Sequence, residues 1–223
     1  MDFSKINTGS SDFDELIGGG LERRVITQMY GEPGSGKSTI CTLCAVNILK
    51  SGKCAIIIDS EGFSAERFEQ IAGSDESKNL AERLFLFEPL DFSEQGLMIA
   101  QCDTLLRDND IGLIILDSAT ALYRVELGNS GEGQRRLGQQ LIHLLGYARK
   151  YDIPVIVTNQ VYMDINNEML TGLGGTSLRH ISKVIVRLEK QNSHKTAILE
   201  KHRSKPEGRS FDFKIINEGI IKV

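Results

Sequence analysis

The chemistry of this chain concentrates in the octapeptide Gly31-Glu32-Pro33-Gly34-Ser35-Gly36-Lys37-Ser38, which fits G-x-x-x-x-G-K-[ST] at every position. Glycines at that spacing let the backbone curl until its N–H groups converge on phosphate oxygens, at the start of a helix whose positive end favours anions. Lys37 would reach the β- and γ-phosphates, Ser38 would give its hydroxyl to Mg2+, and Thr39 completes the cofactor-binding set. The competing reading, a glycine-rich turn that binds nothing, sits poorly with a strand before it and a helix after it. Such a loop needs a second acid for the metal. Asp117, ending the run "IGLIILD", stands where an apolar strand would deliver one to the sheet's carboxyl edge; a turn cap before Ser118 is the alternative. Hydrolysis further needs a group that takes a proton from water, and Glu61 in "IIIDSEG" is placed for that, or is an ordinary loop glutamate. Gln160, closing "IPVIVTNQ", would lie at the same edge, within hydrogen-bonding reach of the γ-phosphate or of local backbone. Arg67 and Gln70, three apart on a helix, could stack on a base and meet its edge, or form a solvated face.

A second concentration of charge is "EKHRSKPEGR", which holds Lys201, His202, Arg203, Lys205 and Arg209 within ten positions. Three readings compete: a DNA-facing patch, a solvated turn, or cations reaching a neighbouring protomer's nucleotide. "KTAILE" alternates like a strand, so Lys201 and Arg203 would project together, with His202 turned away and dispensable. Lys205 and Arg209 would then be rim charges of little consequence.

The elements that must position these groups follow from periodicity. "SSDFDELIGGG" offers Ser11 as an N-cap with Asp14 three on, then a short helix stopped by Gly18-Gly19-Gly20. "RVITQMYG" reads as a strand, Ser38 to Leu49 as a helix, "KCAIIID" as a strand. Helical stretches are expected near 64–73 and 91–107, with the strand-like "RLFLF" between them. "IGLIILD" is the continuous apolar run of a central parallel strand. Leu137, Leu141, Leu144, Leu145 and Ala148 mark the inner face of a helix over 133–150, and "IPVIVTNQ" closes the parallel set. From residue 181, "KVIVRLEK", "KTAILEKHR" and "RSFDFKII" predict an antiparallel extension. The fold class is α/β: a mostly parallel sheet between helices, with an antiparallel C-terminal extension, in one domain over residues 1–223.

At 223 residues, 40% apolar and 25% charged, the composition is that of a globular domain with a substantial core. The net charge of -4 argues against a general polyanion binder, so any nucleic-acid contact must come from a local patch. The N-terminus lacks a signal peptide's apolar stretch, and no run is long enough to span a bilayer, which predicts a cytoplasmic protein without membrane contact. Of the four cysteines, Cys41 and Cys44 lie three apart on a helix. With no second close pair, packing is the better reading than zinc or redox chemistry.

Taken in order, these pieces resemble the ATPase core of the RecA/RadA recombinase family, and within it the archaeal paralogues. "INTGSSDFDELIGGGLERRVITQMYGEPGSGKST" is similar to the family's entry to the nucleotide site, and "DSEGFSAERFEQIA" to its catalytic-glutamate segment. "LIILDSATALYRVE" and "IPVIVTNQV" resemble its metal-acid and γ-phosphate-sensing strands. "GLGGTSLRHISKVIVRLEK" and "PEGRSFDFKIINEGI" extend the likeness over nearly the whole chain. The resemblance implies a RecA-like P-loop fold, ATP and Mg2+ as cofactors, Glu61 as catalytic base, Gln160 as γ-phosphate sensor, and Arg67 and Gln70 at the base.

The departures shape the expectation. The core begins almost at Met1, without the family's N-terminal helical DNA-binding domain. The nearest match to its Phe-x-x-Ala docking segment, Phe3-Ser4-Lys5-Ile6, lacks the alanine, so long filaments of the usual kind are not expected. "ELGNSGEGQRR" and "VYMDINNEMLTGLGGTSLRH" carry few cations for DNA-facing loops; Arg124, Arg135, Arg136 and Arg179 remain candidate phosphate contacts. The resemblance implies an ATP-binding, DNA-associated recombinase paralogue of recombinational repair, with a weak ATPase and little autonomous strand exchange. It also implies self-association through the ATP site and interplay with the main recombinase and a junction resolvase. Lys201 and Arg203 resemble the Lys-x-Arg of hexameric helicases and KaiC-like proteins, which implies catalytic action in trans on a neighbour's γ-phosphate, with direct DNA contact as the competing reading. A KaiC-like or helicase-like ring ATPase is the alternative for the protein as a whole. A nucleotide-dependent switch that does not bind DNA is the third.

Overall fold

The uninterrupted apolar runs become the middle of a nine-stranded sheet. The computed structural model describes residues 5–126, 131–164, 169–172 and 175–223. Six strands run parallel: β1 (Ile26–Gly31), β2 (Cys54–Asp59), β3 (Leu84–Phe87), β4 (Ile111–Asp117), β5 (Val155–Asn159) and β8 (Val184–Lys190), in the order β3-β2-β4-β5-β1-β8. β9 (Lys195–His202), β10 (Ser210–Ile216) and β11 (Gly219–Lys222) continue the sheet antiparallel. β6 (Val161–Asp164) and β7 (Met169–Gly172) pair apart from it as a hairpin. The antiparallel extension therefore starts one strand later than the sequence pattern predicts, because β8 returns alongside β1 in parallel.

Helices cover both faces, as a parallel sheet requires. On one side, α1 (Ser11–Leu16), α2 (Lys37–Lys50), α3 (Ala65–Ala72) and α4 (Ser74–Ala81) pack a core that includes Phe13, Ile40, Ile57, Ile115 and Phe213. On the other, α5 (Phe92–Asp108), α6 (Ala121–Glu126), α7 (Gly131–Tyr151) and α8 (Gly175–Ile181) enclose Ile56, Ile99, Ile114, Leu141 and Val157. β4 is buried at all seven positions, so its aspartate is carried to the sheet edge inside an apolar frame.

Local differences from the sequence reading have local causes. Ser10, not Ser11, caps α1, accepting from the Phe13 amide, while the Asp14 carboxylate instead takes the Thr8 amide and hydroxyl. α4 buries only Ser77 and Leu80, too little apolar surface to show as periodicity. Cys41, Cys44 and Cys102 are buried among core residues. No helix among the described residues is long and apolar enough to cross a membrane. Phe3, residues 127–130 and parts of residues 161–180 lie outside the described residues, as does the Arg124 side chain.

Candidate active site

β1 ends at Gly31 and α2 begins at Lys37; between them the chain turns through two left-handed glycines, Gly34 at φ 76° and Gly36 at φ 103°. Only glycine adopts those angles without strain. A Cβ on Gly34 would meet nothing within 4 Å, whereas one on Gly36 would touch the Phe213 ring at 3.4 Å. The loop is thus open on one side and backed by β10 on the other. Lys37 is buried and its Nζ donates to the carbonyls of Gly31 and Glu32 at 2.9 and 3.0 Å. Burial lowers its pKa, while Glu61 and Asp117 nearby favour its charge. Ser35 Oγ is buried with no hydrogen-bond partner among the described residues.

Asp117 is 2% exposed at the end of β4. It accepts from the Thr158 hydroxyl of β5 and from Ser38 at the head of α2, and burial raises its pKa. In the adjacent strand Asp59 stands in register with it. Burial first, and the Asp117 charge second, push the Asp59 carboxyl up to about 6. Just beyond, Glu61 Oε1 accepts from Gln160 Nε2 at 3.1 Å, although 99 residues separate them. The structure therefore brings Lys37, Ser38, Asp117, Glu61 and Gln160 to one edge. A cavity of about 310 Å3 opens beside them, lined by Ser38, Thr42, Asp59, Phe63, Arg67 and Asp117 among others.

Arg67 and Gln70 share a face of α3, joined at 2.9 Å. The Arg67 guanidinium also donates to the carbonyls of Ile216, Asn217 and Gly219, in the turn between β10 and β11. Nη1 and Nη2 are thus held by that turn and by Gln70, while Nε has no hydrogen-bond partner among the described residues.

Lys201 and Arg203 turn to different partners, because β9 ends at His202 and strand alternation no longer governs Arg203. Ala197 and Leu199 face the core, but a register shift at Glu200 puts His202 on the buried side in their place. Such a bulge shifts the alternation by one residue. Lys201 Nζ donates to the carbonyls of Arg179 and Ser182 below α8. Arg203 instead holds buried Glu22 through Nε and Nη2, while Lys5 Nζ approaches the same carboxylate at 3.4 Å. His202 does turn the other way. Its Nδ1 accepts from the Ser204 amide, so Nε2 carries the proton and donates to the Ile17 carbonyl at 3.1 Å. All of this lies at the sheet edge opposite the phosphate loop: Leu188 pairs with Gly31, but Val184 pairs with His202. With Ser182 six residues short of Leu188 along the strand direction, the two groups stand on the order of 15–20 Å apart.

Of the arginines considered for phosphate contact, Arg136 is engaged by Ser93 and lies over the Phe92 ring, and Arg179 approaches Glu200 at 3.7 Å. Arg135 is exposed. Asp59, Glu22 and Thr158 escaped the sequence reading. Asp59 carried a usable signal, because "CAIIID" ends in an acid just as "IGLIILD" does.

A parallel sheet that presents a phosphate loop, a strand-end aspartate, a glutamate and a glutamine along one edge, with an antiparallel C-terminal extension, has the architecture of RecA-like nucleotide-binding cores. The comparisons agree with that class. The Rad51 family model matches residues 2–223, and the chain belongs to that family. The DNA repair and recombination protein RadB of Methanoculleus marisnigri is 56% identical over 222 residues, covering 99% of each chain. The corresponding proteins of Methanococcoides burtonii and Archaeoglobus fulgidus are 46% and 42% identical, covering at least 93% of each chain. A crystal structure of the RadB recombinase superposes with a TM-score of 0.82 at 38% identity, covering 96% of this chain and 98% of that one.

Proposed function

We propose that this protein is a DNA-associated recombinase paralogue that binds ATP and Mg2+, hydrolyses ATP slowly, and completes its site across a protomer interface. Its part in repair is that of a modulator of the main recombinase or of junction-cleaving nucleases. The observation that carries the reading is the convergence of Lys37, Ser38, Asp117, Glu61 and Gln160 on one edge beside an open glycine loop. The residues fit the cofactors: the loop has room at Gly34, and Ser35 Oγ is a buried polar atom left for a ligand. Ser38 and Asp117 would hold Mg2+, which neutralises charge on the β- and γ-oxygens. Lys37 would exchange its two loop carbonyls for phosphate oxygens. Glu61 would take the proton of the attacking water, with Gln160 fixing the carboxylate and sensing the γ-phosphate. Glu32 and Pro33 shape the loop, and Thr39 follows Ser38 at the phosphates.

Lys201 and Arg203 would serve a neighbour. Standing opposite their own phosphate loop, they cannot reach it, but a head-to-tail contact between copies puts that edge against the next protomer's nucleotide. DNA binding would rest on local cations such as exposed Arg135, near the head of α7. Mixing variants tests the proposal. Lys37→Ala and Arg203→Ala proteins should each be inactive, and an equal mixture should recover turnover at interfaces pairing an intact loop with an intact arginine. Absence of recovery, with DNA binding lost in Arg203→Ala alone, would give the cationic turn to DNA instead.

A further inference from the structure

Glu61 is exposed at the tip of a short connection, and its carboxylate accepts a hydrogen bond from Gln160, itself at a strand end. A general base in that position needs a rigid backbone beneath it. The backbone here is clamped from two sides. The Ser60 amide donates to the Asp117 carbonyl at 2.7 Å, Ser60 Oγ donates to the Ser118 carbonyl, and the Ser118 amide donates back to Ser60 Oγ. Asp59 Oδ1 then accepts from the amides of both Glu61 and Gly62, at 2.9 and 2.5 Å, as Gly62 reverses the chain at φ 106°. This carboxylate is 6% exposed and sits in register with a second buried aspartate. Such a placement costs stability, and an apolar residue ending the strand would be the cheaper choice.

We propose that Asp59 is a positioning residue for Glu61, acting through its acceptor oxygen rather than its charge to fix the two amides that aim the catalytic carboxylate. The inference rests on Glu61 as the base. It distinguishes two isosteric roles: asparagine keeps an oxygen where Oδ1 stands and would preserve the clamp, while a metal-binding or proton-carrying role demands the carboxylate itself.

The experiment compares Asp59→Asn, Asp59→Ala, Glu61→Gln and the Asp59→Ala/Glu61→Gln double variant. It reads single-turnover ATP hydrolysis, Mg2+-dependent binding of a fluorescent ATP analogue, and amide exchange at residues 60–63. Asp59→Ala should slow hydrolysis about 10- to 100-fold with nucleotide affinity within about twofold of the parent, the effect expected of a misaimed catalytic group. Amide exchange at Glu61 and Gly62 should rise at least about tenfold in the same variant. Asp59→Asn should stay near the parent in all three readouts, and the double variant should be no slower than Glu61→Gln. Asparagine as crippling as alanine, lost affinity in Asp59→Ala, or additive losses in the double variant would each overturn the proposal. A Glu61→Gln protein with undiminished turnover would instead remove the base assignment, and the proposal with it.

Discussion

Arg67→Ala tests how the C-terminal hairpin is held over the phosphate loop. The guanidinium makes three bonds to the turn between β10 and β11: Ile216 at 2.7 Å, Gly219 at 3.1 Å and Asn217 at 3.2 Å. Charge-assisted hydrogen bonds contribute about 1.5–3 kcal/mol each when buried, but this turn lies at the surface and its carbonyls would rehydrate. The net loss should be about 1–2 kcal/mol for the whole set. That loss should stay local, because Phe213 is fully buried against the core and Gly219 lies over Leu43. Since about 1.4 kcal/mol is a factor of ten in an opening equilibrium, amide exchange across Ile215–Ile221 should quicken roughly tenfold. Exchange at Ile198 and Leu199 should not change. Arg67→Lys should behave more like alanine than like the parent, since an ammonium cannot present a planar fork to three carbonyls. Hydrogen exchange with peptide-level resolution decides it. Unchanged exchange at the turn would refute the tether, and loosening that spreads through β9 would refute its locality.

Gly36→Ala should weaken nucleotide binding sharply, measured by titration, because φ 103° strains any side chain and relieving that strain would move the loop amides that face the phosphates. His202 is held neutral, with burial lowering its pKa below 6.5 despite Glu22 beside it and with Lys5 and Lys205 opposing its charge. Its contribution to stability is therefore full above pH 6.5 and lost as pH falls below that value, because the unfolded chain takes up the proton more readily. A His202→Leu protein should be about 1–2 kcal/mol less stable at pH 7.5, with the gap narrowing by pH 5.5 in thermal melts; a constant gap would contradict the neutral tautomer. DNA affinity should fall steeply with salt in a binding titration, since a chain of net charge -4 can neutralise phosphates only locally.

The phosphate loop, the strand ends at Asp117 and Gln160, and the long helices α5 and α7 were legible in the sequence. Each is encoded over a few contiguous residues, by glycine spacing, by an apolar run ending in a polar group, or by helical periodicity. Contacts set by partners distant in sequence were not. The Glu61–Gln160 bond spans 99 residues, and Glu22 meets Arg203 across 181. Most instructive is "KTAILEKHR", whose alternation is regular until the bulge at Glu200. The bulge moves His202 onto the buried side, and β9 ends there, so the alternation that pairs Lys201 with Arg203 fails at Arg203 itself.

The placement of the phosphate loop and the cationic turn at opposite edges gives each protomer a front and a back. If the turn completes a neighbour's site, an open row of n copies always has one unassisted loop at one end and one idle turn at the other, and so n−1 complete sites. A closed ring wastes neither. Turnover per protomer then becomes a count of ends: half-maximal in a dimer, rising with length in a growing row, and complete when the circle shuts.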